Sequence, residues 1–160
     1  MRRIAPLILL LFLAILQATL LNRLSILGIK PDLLLILVIF IGLYKGPISG
    51  AWYGFLAGIL LDLFSPTPLG TNAFSKTVLG FLAGAVAPLL YFKAPFTQGL
   101  LLFIGMFLEG MILFILLSSF HLAPPFRHCF LYIILPASLY TSLLAPLFFY
   151  AFKKVGNHAF

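Results

Sequence analysis

Long apolar runs, separated by short polar breaks, follow one another along the whole chain. The runs are continuously apolar rather than alternating, which favours helices over strands. A helix needs about 17–25 apolar residues to cross a bilayer, and most of the runs have about that length. The pattern predicts helices at residues 4–21, 31–44, 47–64, 72–92, 96–118 and 129–152. We therefore expect an all-α integral membrane protein, a bundle of about six transmembrane helices in a single domain over residues 1–160.

Two of the predicted helices are irregular. The second, at 31–44, would be only about 21 Å long. The helix could begin earlier, within residues 26–30, or it could be tilted or only partly inserted into the membrane. An alternative with five spans, in which 31–64 crosses only once, ranks second. The last helix contains Pro136 and Pro146, so a kink is expected there.

Composition agrees with a membrane protein and excludes a soluble domain. Hydrophobic residues make up 63% of the chain and charged residues 8%, whereas about a quarter of a soluble domain is charged. The net charge of +7 would suggest nucleic acid in a soluble protein. Here the basic residues sit singly at helix ends, so membrane topology explains them and no nucleic-acid partner is predicted.

The distribution of basic residues predicts the orientation of the chain. With both termini in the cytoplasm, six basic residues lie on the inner side and three on the outer side, which satisfies the positive-inside rule. The inner set is Arg2, Arg3, Lys45, Lys93, Lys153 and Lys154, and the outer set is Arg23, Lys30 and Arg127. We therefore expect a multi-pass protein of the bacterial cytoplasmic membrane.

A stripe of glycines marks the third and fourth helices. Gly50, Gly54 and Gly58 recur every fourth residue on the third helix, and Gly80 and Gly84 repeat the spacing on the fourth. Small residues at this spacing let helix backbones approach closely in a membrane. The stripe predicts a helix-packing surface, either inside the bundle or against a partner, and internal packing is the preferred interpretation.

Three ionisable residues, Asp62, Lys76 and Glu109, lie within or near the apolar runs. Asp62 and Lys76 lie at similar depth on sequential antiparallel helices, so we expect them to form an ion pair. Glu109 lies near the middle of its helix, where a carboxyl group must be protonated, paired or beside water. Lys76 could also reach Glu109 by extension. These polar contacts either fix the helices or face a cavity that receives a partner or ligand.

The sequence contains no recognisable catalytic or metal-binding motif. His121, His128 and Cys129 lack a fourth ligand and the regular spacing of a zinc site. The nucleophile elbow, the HExxH motif and the Walker loop are all absent. We therefore predict no enzyme activity, no cofactor and no metal site.

Four short segments occur in order over the first two thirds of the chain. They are PDLLL at 31–35, GP at 46–47, GILLDLFSPTPLG at 58–70 and LGFLAG at 79–84. In this order the segments resemble the MreD family, the small multi-spanning membrane proteins of the bacterial rod-shape system. The resemblance is good over residues 28–92, and the rest agrees in length, hydropathy and helix count.

The resemblance implies a noncatalytic scaffold or regulator of the cell-elongation machinery that controls lateral peptidoglycan synthesis and cell shape. Its expected partner is an MreC-like bitopic membrane protein, and through it the transpeptidase, RodA and MreB. The family's architecture is similar to that of the S components of energy-coupling-factor transporters. That similarity implies an alternative function, a small-molecule (vitamin-like) binding subunit of a membrane transporter.

Overall fold

A computed structural model describes residues 5–19, 31–90 and 94–159. Throughout these ranges the regular structure is helical, which confirms the predicted all-α class. The first five helices are α1 (Ala5–Thr19), α2 (Leu33–Lys45), α3 (Pro47–Phe64), α4 (Thr71–Val86) and α5 (Pro95–Ser119). The predicted helix ends at 4, 20–21 and 91–92, the segment 26–30, and Arg2, Arg3, Arg23, Lys30 and Lys93 lie outside the described residues.

The sixth helix, α6, changes its winding near its start. It begins as Phe126–Cys129, passes through a π-helical segment at Phe130–Ile134 and continues as Leu135–Ala159. Pro136 is the second residue after the π-helical segment, and Pro146 lies further along the helix. Proline has no N–H to donate, and π-helical turns are one way in which a helix accommodates such an irregularity.

The short helix α2 lies at the centre of the bundle. Every residue from 33 to 43 is buried, and α1, α3, α4, α5 and α6 all contact this helix. A helix that is apolar all round is expected to be buried on all sides, and the run from Leu33 to Leu43 is of this kind. Gly46 then turns the chain directly into α3 with a φ of 90°, a conformation that favours glycine.

Three helices of the described residues are long and apolar enough to cross a membrane, by length and composition. They are Pro47–Phe64, Pro95–Ser119 and Phe126–Phe152. Two shorter apolar helices accompany them, at Ile8–Gln17 and Leu33–Lys45. These helices define the chain as a helical membrane protein.

Candidate functional site

Lys76 is completely buried between two carboxylates. Its Nζ donates to Oδ2 of Asp32 and to Oε1 of Glu109, the latter at 2.5 Å. The exposed fraction of the side chain is 0% for Lys76, 13% for Asp32 and 2% for Glu109. Asp32 is the N-cap residue of α2, whereas Lys76 and Glu109 lie on α4 and α5. One lysine side chain therefore connects three helices.

Two further polar side chains, one from α1 and one from α6, form hydrogen bonds with Asp32. Gln17 of α1 donates from Nε2 to Oδ1 of Asp32 at 3.3 Å, and its Oε1 accepts from the backbone N–H of Leu34 at 3.2 Å. Thr141 of α6 accepts at Oγ1 from the backbone N–H of Asp32 at 3.4 Å. We call these five side chains the Lys76 cluster: Gln17, Asp32, Lys76, Glu109 and Thr141.

One atom of the cluster has no hydrogen-bond partner. Oε2 of Glu109 is buried and unpaired, whereas Oε1 of the same carboxyl group accepts from Lys76. Buried polar atoms in proteins are nearly always hydrogen-bonded, so an exception requires an explanation. The sequence-based expectation that Lys76 can reach Glu109 agrees with this geometry.

The predicted ion pair between Asp62 and Lys76 is wrong. Asp62 instead accepts hydrogen bonds from the start of α4: Oδ2 from the N–H of Gly70 (2.9 Å) and of Ala73 (3.1 Å), and Oδ1 from that of Asn72 (3.1 Å). The first N–H groups of a helix lack partners within the helix and attract a negative charge. Asp62 is only 3% exposed, so these donors satisfy it without a lysine.

Replacement of Asp62 by alanine should weaken the junction between α3 and α4. Three backbone N–H groups would lose their acceptor, and we expect the free energy of unfolding to fall by about 2 kcal/mol. Thermal unfolding of the purified protein in detergent would measure this. Asp62→Asn keeps one acceptor oxygen and should lose less. An alanine variant as stable as the parent would contradict the capping role.

Sequence reasoning missed Asp32, Gln17 and Thr141 as members of the cluster. Asp32 lies at the start of the helix predicted at 31–44, within the PDLLL segment, but the sequence does not indicate a partner for it. A signal was nevertheless present, because aspartate directly before an apolar helix is a favoured N-cap. Oδ1 of Asp32 does accept from the N–H of Leu35 at 2.9 Å.

The glycine stripe forms the contact between α3 and α4. A Cβ atom on Gly50 would lie 2.1 Å from the carbonyl oxygen of Gly80, and one on Gly54 would lie 2.2 Å from that of Lys76. Real Cβ atoms essentially never approach other atoms so closely. The two backbones are therefore in direct contact, which only glycine at these positions permits.

The same contact continues towards both ends of the helix pair. A Cβ atom on Gly58 would lie 2.2 Å from Cα of Ala73, and one on Gly84 would lie 2.3 Å from the backbone nitrogen of Pro47. Glycines at both ends of the pair thus face backbone of the neighbouring helix. We call this contact the glycine seam; it runs inside the bundle, where these positions do not offer a free surface.

The described residues line apolar hollows on the outside of the bundle, and two of them bear on function. The first is an open groove of about 460 Å³ on the outer face of α3 and α4, which we call the outer groove. It is lined by Ile48, Ala51, Trp52, Phe55, Thr77 and Phe81. The second, of about 380 Å³, lies between α2, α4 and α5, and its lining includes Ile39, Leu79 and Ile104.

These features define a multi-spanning membrane protein. Inside the bundle, the Lys76 cluster and the glycine seam hold the helices together. The chain matches the family model described as rod shape-determining protein MreD over residues 1–156. It therefore belongs to the MreD family, as the ordered segments indicated. No curated protein and no solved structure matches the chain.

Proposed function

We propose that this protein is a noncatalytic scaffold of the cell-elongation machinery that binds the transmembrane helix of an MreC-like bitopic protein. Its family is rod shape-determining. In this proposal the complex acts on the transpeptidase, RodA and MreB only indirectly, through the partner. The protein resides in the bacterial cytoplasmic membrane with both termini in the cytoplasm, the orientation favoured by the count of basic residues.

The outer groove carries the proposal, because its shape suits an apolar helix. Ala51 and Thr77 are small residues between the larger rings of Trp52, Phe55 and Phe81. The hydroxyl of Thr77 donates to the carbonyl oxygen of Ala73 at 2.6 Å, so it presents no unsatisfied donor. Small residues flanked by larger ones allow a second helix to approach closely within lipid.

The glycine seam is not available to a partner. Its glycines already contact the backbone of the neighbouring helix, so a partner could reach them only by separating α3 from α4. Trp52, by contrast, is 62% exposed and stacks on Phe55 with ring centroids 6.3 Å apart. An aromatic pair of this kind offers a large rigid contact area.

Filling the outer groove tests the proposal. We expect the double variant Ala51→Leu/Thr77→Leu to recover at least about tenfold less MreC-like partner on co-purification in mild detergent. Its melting temperature should match that of the parent, because both side chains would extend outwards. Ala151→Leu, an exposed alanine on α6, is the matched control. Undiminished capture of the partner by the folded double variant would refute this docking site.

The hollow between α2, α4 and α5 does not favour the alternative function as a vitamin-binding subunit. Sites for small polar ligands combine an apolar wall with a few convergent polar groups. The lining of this hollow consists of aliphatic side chains and one glycine. It suits hydrocarbon, and we retain the scaffold as the single proposed function.

A further inference from the structure

We propose that Glu109 is a proton-binding site: at neutral pH its Oε2 carries a proton, and Lys76 and Asp32 form the ion pair of the cluster. The ligand is a proton: an O–H bond of hydronium breaks, an O–H bond forms at Oε2, and water is left. This inference goes beyond the scaffold function and does not depend on where the partner binds.

The first argument is the charge balance of the Lys76 cluster. If both carboxyl groups were ionised, two negative charges would face one positive charge in a site where Lys76 and Glu109 are 0% and 2% exposed. An uncompensated charge buried within a membrane is expensive. The charged groups that act on Glu109 are Lys76 and Asp32, while α1 and α6 contribute the neutral Gln17 and Thr141 to the cluster. One bound proton makes the cluster neutral.

The second argument is the unequal hydrogen bonding of the two carboxyl groups. Asp32 accepts from Lys76, from Gln17 and from the N–H of Leu35. Glu109 accepts from Lys76 at Oε1, and its Oε2 is buried without a partner. Hydrogen bonds to the charged form stabilise that form. The ionised form is therefore stabilised more at Asp32 than at Glu109, and the proton binds to Glu109.

A neighbouring hydroxyl can receive the proton's hydrogen bond. Ser75 precedes Lys76 on α4, and its side chain lies close enough to interact with the carboxyl group of Glu109. Its own proton is directed to the carbonyl oxygen of Asn72 at 3.1 Å. The hydroxyl oxygen of Ser75 therefore remains available as an acceptor. A protonated Oε2 could then donate a hydrogen bond to the hydroxyl oxygen of Ser75, whereas an ionised Oε2 has no partner.

Release of the proton should loosen the bundle at α5. At alkaline pH the cluster would hold a net negative charge, and the contacts of α5 with α2 and α4 would become less favourable. Glu109→Gln keeps the shape of the side chain but has no proton to lose. By linkage, the parent should lose stability as the pH rises from the acid range, where this carboxyl group ionises in the unfolded chain, until Glu109 ionises in the folded protein. The glutamine variant should lose less over the same range.

Infrared spectroscopy of the full-length protein in lipid nanodiscs tests the proposal directly. The chain has only three acidic residues, Asp32, Asp62 and Glu109, so the carbonyl stretch of a protonated carboxyl group can be assigned with three variants. At neutral pH we expect this band in the parent and in Asp62→Asn. It should disappear in Glu109→Gln and in Asp32→Asn, because in each of these variants the one carboxyl group left beside Lys76 ionises to balance the lysine. The band therefore assigns the proton to the cluster, and thermal unfolding decides between its two carboxyl groups. Absence of the band from the folded parent would overturn the proposal.

Thermal unfolding gives an independent test that does not rely on the spectrum. At neutral pH, Glu109→Gln should unfold within a few degrees of the parent, whereas Asp32→Asn should unfold at a clearly lower temperature. Equal losses in the two variants would overturn the proposal. So would a rise in the melting temperature of the parent with sodium concentration at fixed pH, since a metal cation would then supply the missing charge.

Discussion

Lys76→Met should cost about 3–5 kcal/mol of stability, the largest effect that we expect from any single substitution in this chain. The change removes the only cation that contacts Asp32 and Glu109 among the described side chains. Folded proteins are only about 5–15 kcal/mol more stable than their unfolded forms, so this loss is a large fraction of the total stability. Denaturant titration in detergent, followed by circular dichroism, measures the loss.

A charge-matched double variant distinguishes lost charge compensation from lost packing. Lys76→Met/Asp32→Asn removes the cation together with the carboxylate that we assign as its partner, and should recover much of the stability. Replacing both members of a buried ion pair by neutral groups is often tolerated, whereas removing one is not. Full stability of the Lys76→Met single variant would contradict the role of the cluster.

Gly50→Ala should be the second most damaging substitution, with a loss of about 3 kcal/mol. The added Cβ would lie 2.1 Å from the carbonyl oxygen of Gly80, and backbone cannot move aside as the end of a flexible side chain can. The free energy of unfolding would be measured in the same titration as for Lys76.

Gly99→Ala is the matched control for the seam. It makes the same chemical change on α5, but its Cβ would lie 3.5 Å from the carbonyl oxygen of Ser142, an ordinary contact. Alanine has the higher helix propensity by up to about 1 kcal/mol, so this variant should be neutral or slightly stabilised. Equal changes in the free energy of unfolding of Gly50→Ala and Gly99→Ala would contradict the proposal that Gly50 is needed for the close contact between α3 and α4.

The helices could be predicted because their signal is local. Continuous apolar runs bounded by polar breaks indicate helices in lipid without any knowledge of packing. The central position of α2 could not be derived in this way. Residues that face lipid and residues that face other helices are equally apolar in a membrane protein, so Leu34 in the core and Leu143 on the surface look alike in the sequence.

The candidate site could be predicted only in part, because it depends on how each helix is rotated. Depth along the helix suggested both Asp62 and Glu109 as partners of Lys76, and only the second contact is present. Asp62 turns towards the N–H groups of α4 instead. Asp32 lies at the start of the helix predicted at 31–44, and its contact with Lys76, from which it accepts a hydrogen bond, depends on the packing of α2 against α4.

The contacts of the Lys76 cluster can form only in a certain order during assembly, because its members come from widely separated parts of the chain. Asp32 and Lys76 are 44 positions apart, Lys76 and Glu109 are 33 apart, and Asp32 and Thr141 are 109 apart. The helix pair of the glycine seam, in contrast, is joined by a short turn and can form as soon as both helices are made. The three charged side chains of the Lys76 cluster can meet only after α5 has been made, and Thr141 joins them only with α6, so the cluster is completed after the seam.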